Sequence, residues 1–231
     1  MQQQEKKMKF RHELKYYLSY ADYLVIKSRL RQIASFDSHA GPDGKYRIRS
    51  LYFETPSDKI LNEKMYGVAE REKFRIRLYD NKDDFIRLEK KMKIVNATSK
   101  ISCPVTRAEV EKIIAGDLDW MAESGRALLM ELYTKMKYQQ LKPRTIVDYD
   151  RETFIYAPGN VRVTLDTNIS TGVSSTDIFN PSLPLARANE LVFLMEVKYD
   201  NFLPYIIREL VQLPNRRVTA FSKYAAARVF G

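Results

Sequence analysis

Arg75, Arg77 and Lys91 alternate along two adjoining segments, F-R-I-R-L-Y and F-I-R-L-E-K-K-M-K. A guanidinium offers a planar fork of donors that grips phosphate oxygens in pairs, and an ammonium adds a compact point charge. Arg71, Lys73, Arg87 and Lys93 share their parity, so one side of the two segments carries seven cations and one carboxylate, Glu89. Phe74, Ile76, Leu78, Ile86, Leu88 and Met92 occupy the other side. Side chains of a strand alternate between faces, and two such arms around D-N-K-D-D predict a β-hairpin. Cross-strand neighbours lie about 5 Å apart, where like charges repel. The basic face is therefore either ordinary solvated surface or the seat of an anion, and one hairpin alone does not choose between them.

Other segments repeat the pattern. Arg11, Glu13 and Lys15 alternate in one stretch, Arg47 and Arg49 in another, and Arg162 and Asp166 in a third. Glu196 and Lys198 do the same, Arg151 stands in a further strand, and each stretch has an apolar opposite parity. The spacing predicts strands over 9–18, 46–54, 98–103, 143–156, 161–169 and 190–199, besides the hairpin. Helices are predicted over 20–34, with Ser19 as N-cap, and over 59–66, 107–115, 123–138, 203–213 and 219–230. P-N-R-R is expected to end the fifth of these. With about eight strands and apolar-striped helices to cover them, a closed sheet would have its helices outside and a basic lumen inside, and closure would remove exposed edges.

Composition narrows the chemistry. The chain has 231 residues, 45% of them hydrophobic, enough for one substantial core, and no linker or repeat divides it. Residues 1–8 read as a flexible tail and 9–231 as a single domain. A formal charge of +10 favours a polyanion or phosphate-rich partner, or an anionic membrane surface. One cysteine, Cys103, excludes an internal disulfide or thiolate cluster, and two histidines, His12 and His39, are too few for a histidine metal site. Any metal must sit on carboxylates, which suits Mg²⁺ or Mn²⁺. No leader pattern and no apolar run near ~20 residues is present, so the expectation is a cytoplasmic chain without a membrane span. A nucleic-acid ligand is disfavoured, because the sequence carries no helix-turn-helix, RNP or zinc pattern.

The segments FRHELKYYL, YRIRSLYFET, FRIRLYD, RLEKKMK, RTIVDYDRETF, VRVTLDTNI, LMEVKYD and FSKYAAARV occur in this order over about residues 9 to 230. Together they resemble the polyphosphate polymerase (VTC) domains of the triphosphate tunnel metalloenzymes. The resemblance implies an α+β fold: an eight-stranded antiparallel β-barrel, the triphosphate tunnel, with helices packed on the outside. It implies synthesis of polyphosphate from ATP with a divalent metal, Mn²⁺ or Mg²⁺. It places Arg75, Arg77, Lys91, Arg151 and Arg162 as the charges that neutralise the transferring phosphoryl group. Lys15, Lys100, Lys198 and Lys223 become further phosphate contacts, and Tyr149 and Ser222 hydrogen-bond donors. Arg47, Arg49 and Lys93 join the same set by position. Glu196 of E-V-K becomes the metal ligand. Glu89 is either a second ligand or a partner that holds its cationic neighbours. The wider superfamily opens on Glu-x-Glu-x-Lys, whereas here R-H-E-L-K puts Arg11 in the first position, which favours the polymerase branch. Two other functions share these residues: a tripolyphosphatase or nucleoside triphosphatase, and a polyphosphate-binding module without turnover.

Overall fold

The computed structural model describes residues 11–38, 40–95, 97–187, 193–213 and 218–229. The tail expected at 1–8, the start of the strand expected from Glu190 and the P-N-R-R break at 214–217 lie outside them. The eight main strands are β1 (His12–Leu18), β3 (Lys45–Glu54), β4 (Glu70–Tyr79), β5 (Lys82–Ile94), β6 (Ala97–Val105), β7 (Lys142–Tyr156), β8 (Val161–Thr171) and β10 (Phe193–Tyr199). Two-residue strands β2 (Ser35–Phe36) and β9 (Ala186–Arg187) add to β7 and β8. The helices are α1 (Tyr20–Ile33), α2 (Lys59–Met65), α3 (Arg107–Ala115), α4 (Ala127–Tyr138), α5 (Tyr205–Val211) and α6 (Lys223–Val229).

All main strands form one antiparallel sheet in the order β1-β10-β8-β7-β3-β4-β5-β6. The sheet curls until its two edge strands meet, but among the described residues they share a single bridge, Arg11 to Thr98. The expected closed eight-stranded barrel is thus corrected to an α+β fold with a ten-stranded antiparallel sheet whose ladder stays open at the β1/β6 seam.

Burial separates the two faces. On the outer face Leu51, Phe53, Phe74, Ile76, Leu78, Ile86 and Leu88 pack against α3 and α4 residues such as Val110, Ile113, Leu129 and Leu132. Farther along, Val161, Val163, Leu165, Met195 and Val197 pack under α1 and α5. Capping boxes at Ser19 and Thr106 start α1 and α3 by accepting otherwise orphan backbone N–H groups. The inner face departs from expectation. Two helices, α2 and α6, sit against it, with Tyr224 and Ala227 packed on Tyr52, Val147, Tyr149 and Leu194. Small side chains at Ala225, Ala226 and Ala227 let α6 enter the curl.

Several element boundaries also differ from the spacing; β6 and β8 run on to Val105 and Thr171, and α5 is shorter at both ends. The hairpin turn is two residues, Asp80 and Asn81, both with positive φ (52° and 55°), and Lys82–Asp84 belong to β5. This is the two-residue geometry whose twist matches paired strands. Gly125, left-handed at φ 66°, delays α4 to Ala127. The last helix begins at Lys223 because Val218 bridges to Tyr16 and the Thr219 N–H donates to the Lys15 carbonyl at 2.8 Å.

Candidate phosphate-binding site

Strand register brings the basic residues to one surface. Arg75 lies opposite Glu89, Lys73 opposite Lys91, and Lys91 in turn opposite Lys100. On the other arm of the curl Lys15 pairs with Glu196, Glu13 with Lys198, Lys198 with Arg162, and Arg151 with Asp166. Lys223 of α6 descends onto this face and completes the set. Lys15, Lys73, Arg75, Arg77, Lys91, Lys100, Arg151, Arg162, Lys198 and Lys223 thereby meet four carboxylates of the main strands, Glu13, Glu89, Asp166 and Glu196, and Asp37 beside Arg162, among the described residues.

Each of the four strand carboxylates is shared. Glu89 accepts from Arg75 at 2.6 Å and Lys100 at 2.7 Å, with Arg77 at 3.6 Å. Asp166 takes both arms of Arg151, at 2.6 and 2.7 Å, and Lys223 at 2.5 Å. Glu196 has Lys223 at 3.1 Å, Lys198 at 3.6 Å, Lys15 at 3.7 Å and Arg151 at 3.8 Å. Glu13 joins Lys91 (2.8 Å) to Lys15 (3.0 Å) and so ties β1 to β5 across the seam. Burial would raise all four carboxyls, but the surrounding cations outweigh it and hold them below the ordinary range.

The surplus positive charge is felt by groups with the weakest acidic company. Lys73 makes no ion pair among the described residues; its ammonium lies 5.2 Å from the centre of the Tyr52 ring. Burial and the neighbouring Lys91, Arg75 and Lys15 push it down to about 7, against some support from Tyr52. Lys91 is pushed down to about 8, by burial first and then by Lys15 and Lys198, although Glu13 opposes this. Burial favours the neutral Tyr52 phenol, yet Arg75, Lys73 and Arg77 outweigh it and bring it to about 7. A row of three opposed lysines, Lys73–Lys91–Lys100, is a repulsive arrangement that an anion relieves.

A cavity of about 380 Å³ opens beside this row, lined by Lys15, Lys73, Lys91, Lys93, Arg71 and Lys64 among others. Ser222 lines it too, and its hydroxyl accepts from the Ala225 N–H at 3.4 Å. Tyr149 is buried between Arg77, which donates to its hydroxyl at 3.2 Å, and Lys223, 4.8 Å from its ring centre. Arg162 donates to Asp37 at 2.6 Å and to the Tyr46 hydroxyl at 3.1 Å.

Arg47 and Arg49 are not brought to this surface. Leu51 opposes Ile76 and Ser50 opposes Arg77, so the odd positions of β3 face outward. Arg49 is 1% exposed and donates to Asp148 at 2.7 Å and to the loop carbonyls of Ile178 and Asn180. Arg47 shares Asp148 at 2.6 Å. Besides Tyr46, already placed against Arg162, the residues of β3 that do face the cations are Ser50, which accepts from Arg77 at 3.1 Å, and Tyr52, which accepts from Arg75 at 2.9 Å. Sequence reasoning missed both; pairing β3 to β4 by its apolar positions would have found them. Arg11, at the position of the superfamily's first Glu, instead ion-pairs with Asp200 at 2.8 Å and bonds to the Asn160 carbonyl at the rim. His12 stacks on Tyr199 with ring centres 5.1 Å apart.

For a divalent cation the donor set is hard oxygen. No group of three His, Cys, Asp or Glu side chains suited to a metal occurs among the described residues. Glu196 and Glu13 lie on either side of the Lys15 ammonium, at 3.7 and 3.0 Å, and offer the hard oxygens that Mg²⁺-like ions take besides phosphate oxygens.

Solved structures share the fold at low identity. A Hippeastrum protein, described as a candidate adenylyl cyclase with a dominant triphosphatase activity, is similar at 12% identity and TM-score 0.58, over 95% of each chain. A Pyrococcus horikoshii protein is similar at 13% and 0.52, over 94% of this chain and 99% of that one. A candidate adenylate cyclase of Bacillus halodurans is similar at 14% and 0.51, over 82% and 80%. No curated protein matches the chain. No helix among the described residues is long and apolar enough to cross a membrane. The VTC domain family matches residues 10–230, nearly the whole length. With that match and a basic inner face on a curled antiparallel sheet, this chain belongs to the VTC domain family, and its fold is that of the triphosphate tunnel proteins.

Proposed function

We propose that this chain is a cytoplasmic phosphotransferase that makes polyphosphate from ATP, the curled sheet acting as a tunnel for the phosphates. The observation that carries the reading is the opposed row Lys73–Lys91–Lys100 with Arg75, Arg77, Arg151 and Arg162 beside it. These groups would hold the triphosphate in line with a phosphate acceptor and neutralise charge that builds on the transferring group. The acceptor is already ionised, so no general base is needed, and ADP leaves. Glu196, helped by Glu13, would hold a divalent ion, whose chemistry is to bridge and neutralise phosphate oxygens. Lys15, Lys198 and Lys223 keep Glu196 ionised and oriented.

Incubation of the purified chain with ATP and Mn²⁺, followed by resolution of phosphate chains on a gel, tests this. Long chains together with ADP are expected. The similarity to the Hippeastrum structure supports a second reading, triphosphate hydrolysis. Orthophosphate or pyrophosphate without long chains would establish that reading instead, and binding without product would leave a polyphosphate-binding module.

A further inference from the structure

The cavity beside the lysine row has a mixed lining: Lys15, Lys73 and Lys91 are charged, and Ile60, Val218, Ala220 and Phe221 are apolar. An inorganic phosphate chain is charged along its whole length and gains nothing from carbon. A nucleoside triphosphate, by contrast, has a charged end and a neutral aromatic end. At about 380 Å³ the cavity falls in the range of roughly 300–1,000 Å³ typical of small-molecule sites.

The apolar segment around Phe221 is held in place. Val218 bridges to Tyr16, and the Thr219 N–H donates to the Lys15 carbonyl. The Lys15 ammonium donates back to the Phe221 carbonyl at 3.2 Å. Tyr17 meets the Phe221 ring edge-on with centres 5.2 Å apart. The same lysine that borders Glu13 and Glu196 therefore anchors the backbone of Phe221, while Tyr17 meets its ring.

We propose that Phe221 is the stacking platform for the base of a nucleoside triphosphate whose phosphates lie against Lys15, Lys73 and Lys91. The assignment rests on the triphosphate reading above and adds its nucleoside half. Stacking uses the π-face common to all bases, so the platform selects nucleotide over inorganic triphosphate rather than one base over another.

The test is the ratio of the dissociation constants for ATP and inorganic tripolyphosphate, measured by calorimetry on the full chain without turnover metal. Phe221→Ala is expected to raise this ratio about tenfold, as loss of one base–aromatic stack does. Phe221→Trp is expected to return it to the wild-type value. Phe221→Leu, which keeps apolar bulk beside Tyr17, gives the same test should the alanine variant fold poorly. A ratio unmoved by both the alanine and leucine changes overturns the proposal. Wild-type protein that binds tripolyphosphate but not ATP also overturns it while sparing the triphosphate reading; failure to bind either ligand sinks both.

Discussion

Arg49 and Arg75 have the same side chain on adjacent strands and opposite fates. Arg75 faces the cation surplus, whereas Arg49 is buried on the outer side against Asp148. Removing one partner of such a buried pair leaves the other charge uncompensated. Arg49→Ala is expected to cost about 3–5 kcal/mol in urea unfolding. Arg47→Ala is expected to leave tripolyphosphate affinity unchanged; a loss above a few-fold would return β3's arginines to the site. The paired change Arg75→Ala with Arg77→Ala should abolish measurable tripolyphosphate binding, read by calorimetry. Protonation adds a further check. A bound polyanion raises the pKa of Lys73, Lys91 and Tyr52 from about 7, about 8 and about 7. Binding near pH 7.5 should therefore take up protons, visible as a dependence of the calorimetric heat on buffer ionisation, and should weaken as pH rises above 8. Free-protein stability runs the other way. Lys73 and Tyr52 titrate lower in the folded than in the unfolded chain, so the unfolded chain binds more protons between about pH 7 and 10. These groups make stability rise through that window.

Among the elements, α2 and α6 owe their place inside the curl to Glu54, at the end of β3. Its carboxylate accepts from the backbone N–H groups of Thr55 (2.8 Å), Ile60 (2.9 Å) and Leu61 (2.9 Å). The Tyr224 hydroxyl donates to it as well. One buried carboxylate therefore caps the start of α2 and fastens α6 to it. Glu54→Ala strands these donors and is expected to cost about 3 kcal/mol in denaturant unfolding. It should also lower tripolyphosphate affinity, because Lys223 rides on α6. Unchanged unfolding would mean that α6 is held by its apolar face alone. The β4–β5 turn is locked in a similar way: the Arg47 N–H donates to the Asp80 carboxylate at 2.8 Å, and the Asp80 N–H to the Arg47 carbonyl at 2.9 Å.

At the scale of the whole molecule, the inner face keeps a surplus of cations on different strands whose repulsion its carboxylates relieve only in part. An anion bridging β1, β4, β5 and β7 would tie together both sides of the seam, which is otherwise joined by the Arg11–Thr98 bridge and the Lys91–Glu13 ion pair. Tripolyphosphate at a hundred times its Kd is expected to stabilise the fold by about 2.7 kcal/mol, on the order of 5–10 °C in Tm. Sodium chloride at matched ionic strength should give a much smaller shift. An equal shift would reduce the effect to general screening.

The sequence by itself determined the hairpin, the alternation of β1, β4, β5, β8 and β10, and the capped helices α1 and α3. In these strands one parity is apolar and the other charged, and in these helices a Ser or Thr stands before the first turn. Local pattern suffices where one face is buried in carbon and the other is not. The tertiary structure reversed the side of β3: Arg47 and Arg49 alternate with apolar residues like the basic faces of the other strands, but nearly every residue of β3 is buried, and Ser50 and Tyr52 are the ones that face the cations. A strand buried on both sides has no solvated parity to read, so only its register against β4 and β7 assigns its faces. Tertiary structure also decided that α2 and α6 enter the curl and that the ladder stops short of closure. Those outcomes depend on Glu54, Lys15 and Arg11 meeting partners more than a hundred residues away, which no local period records.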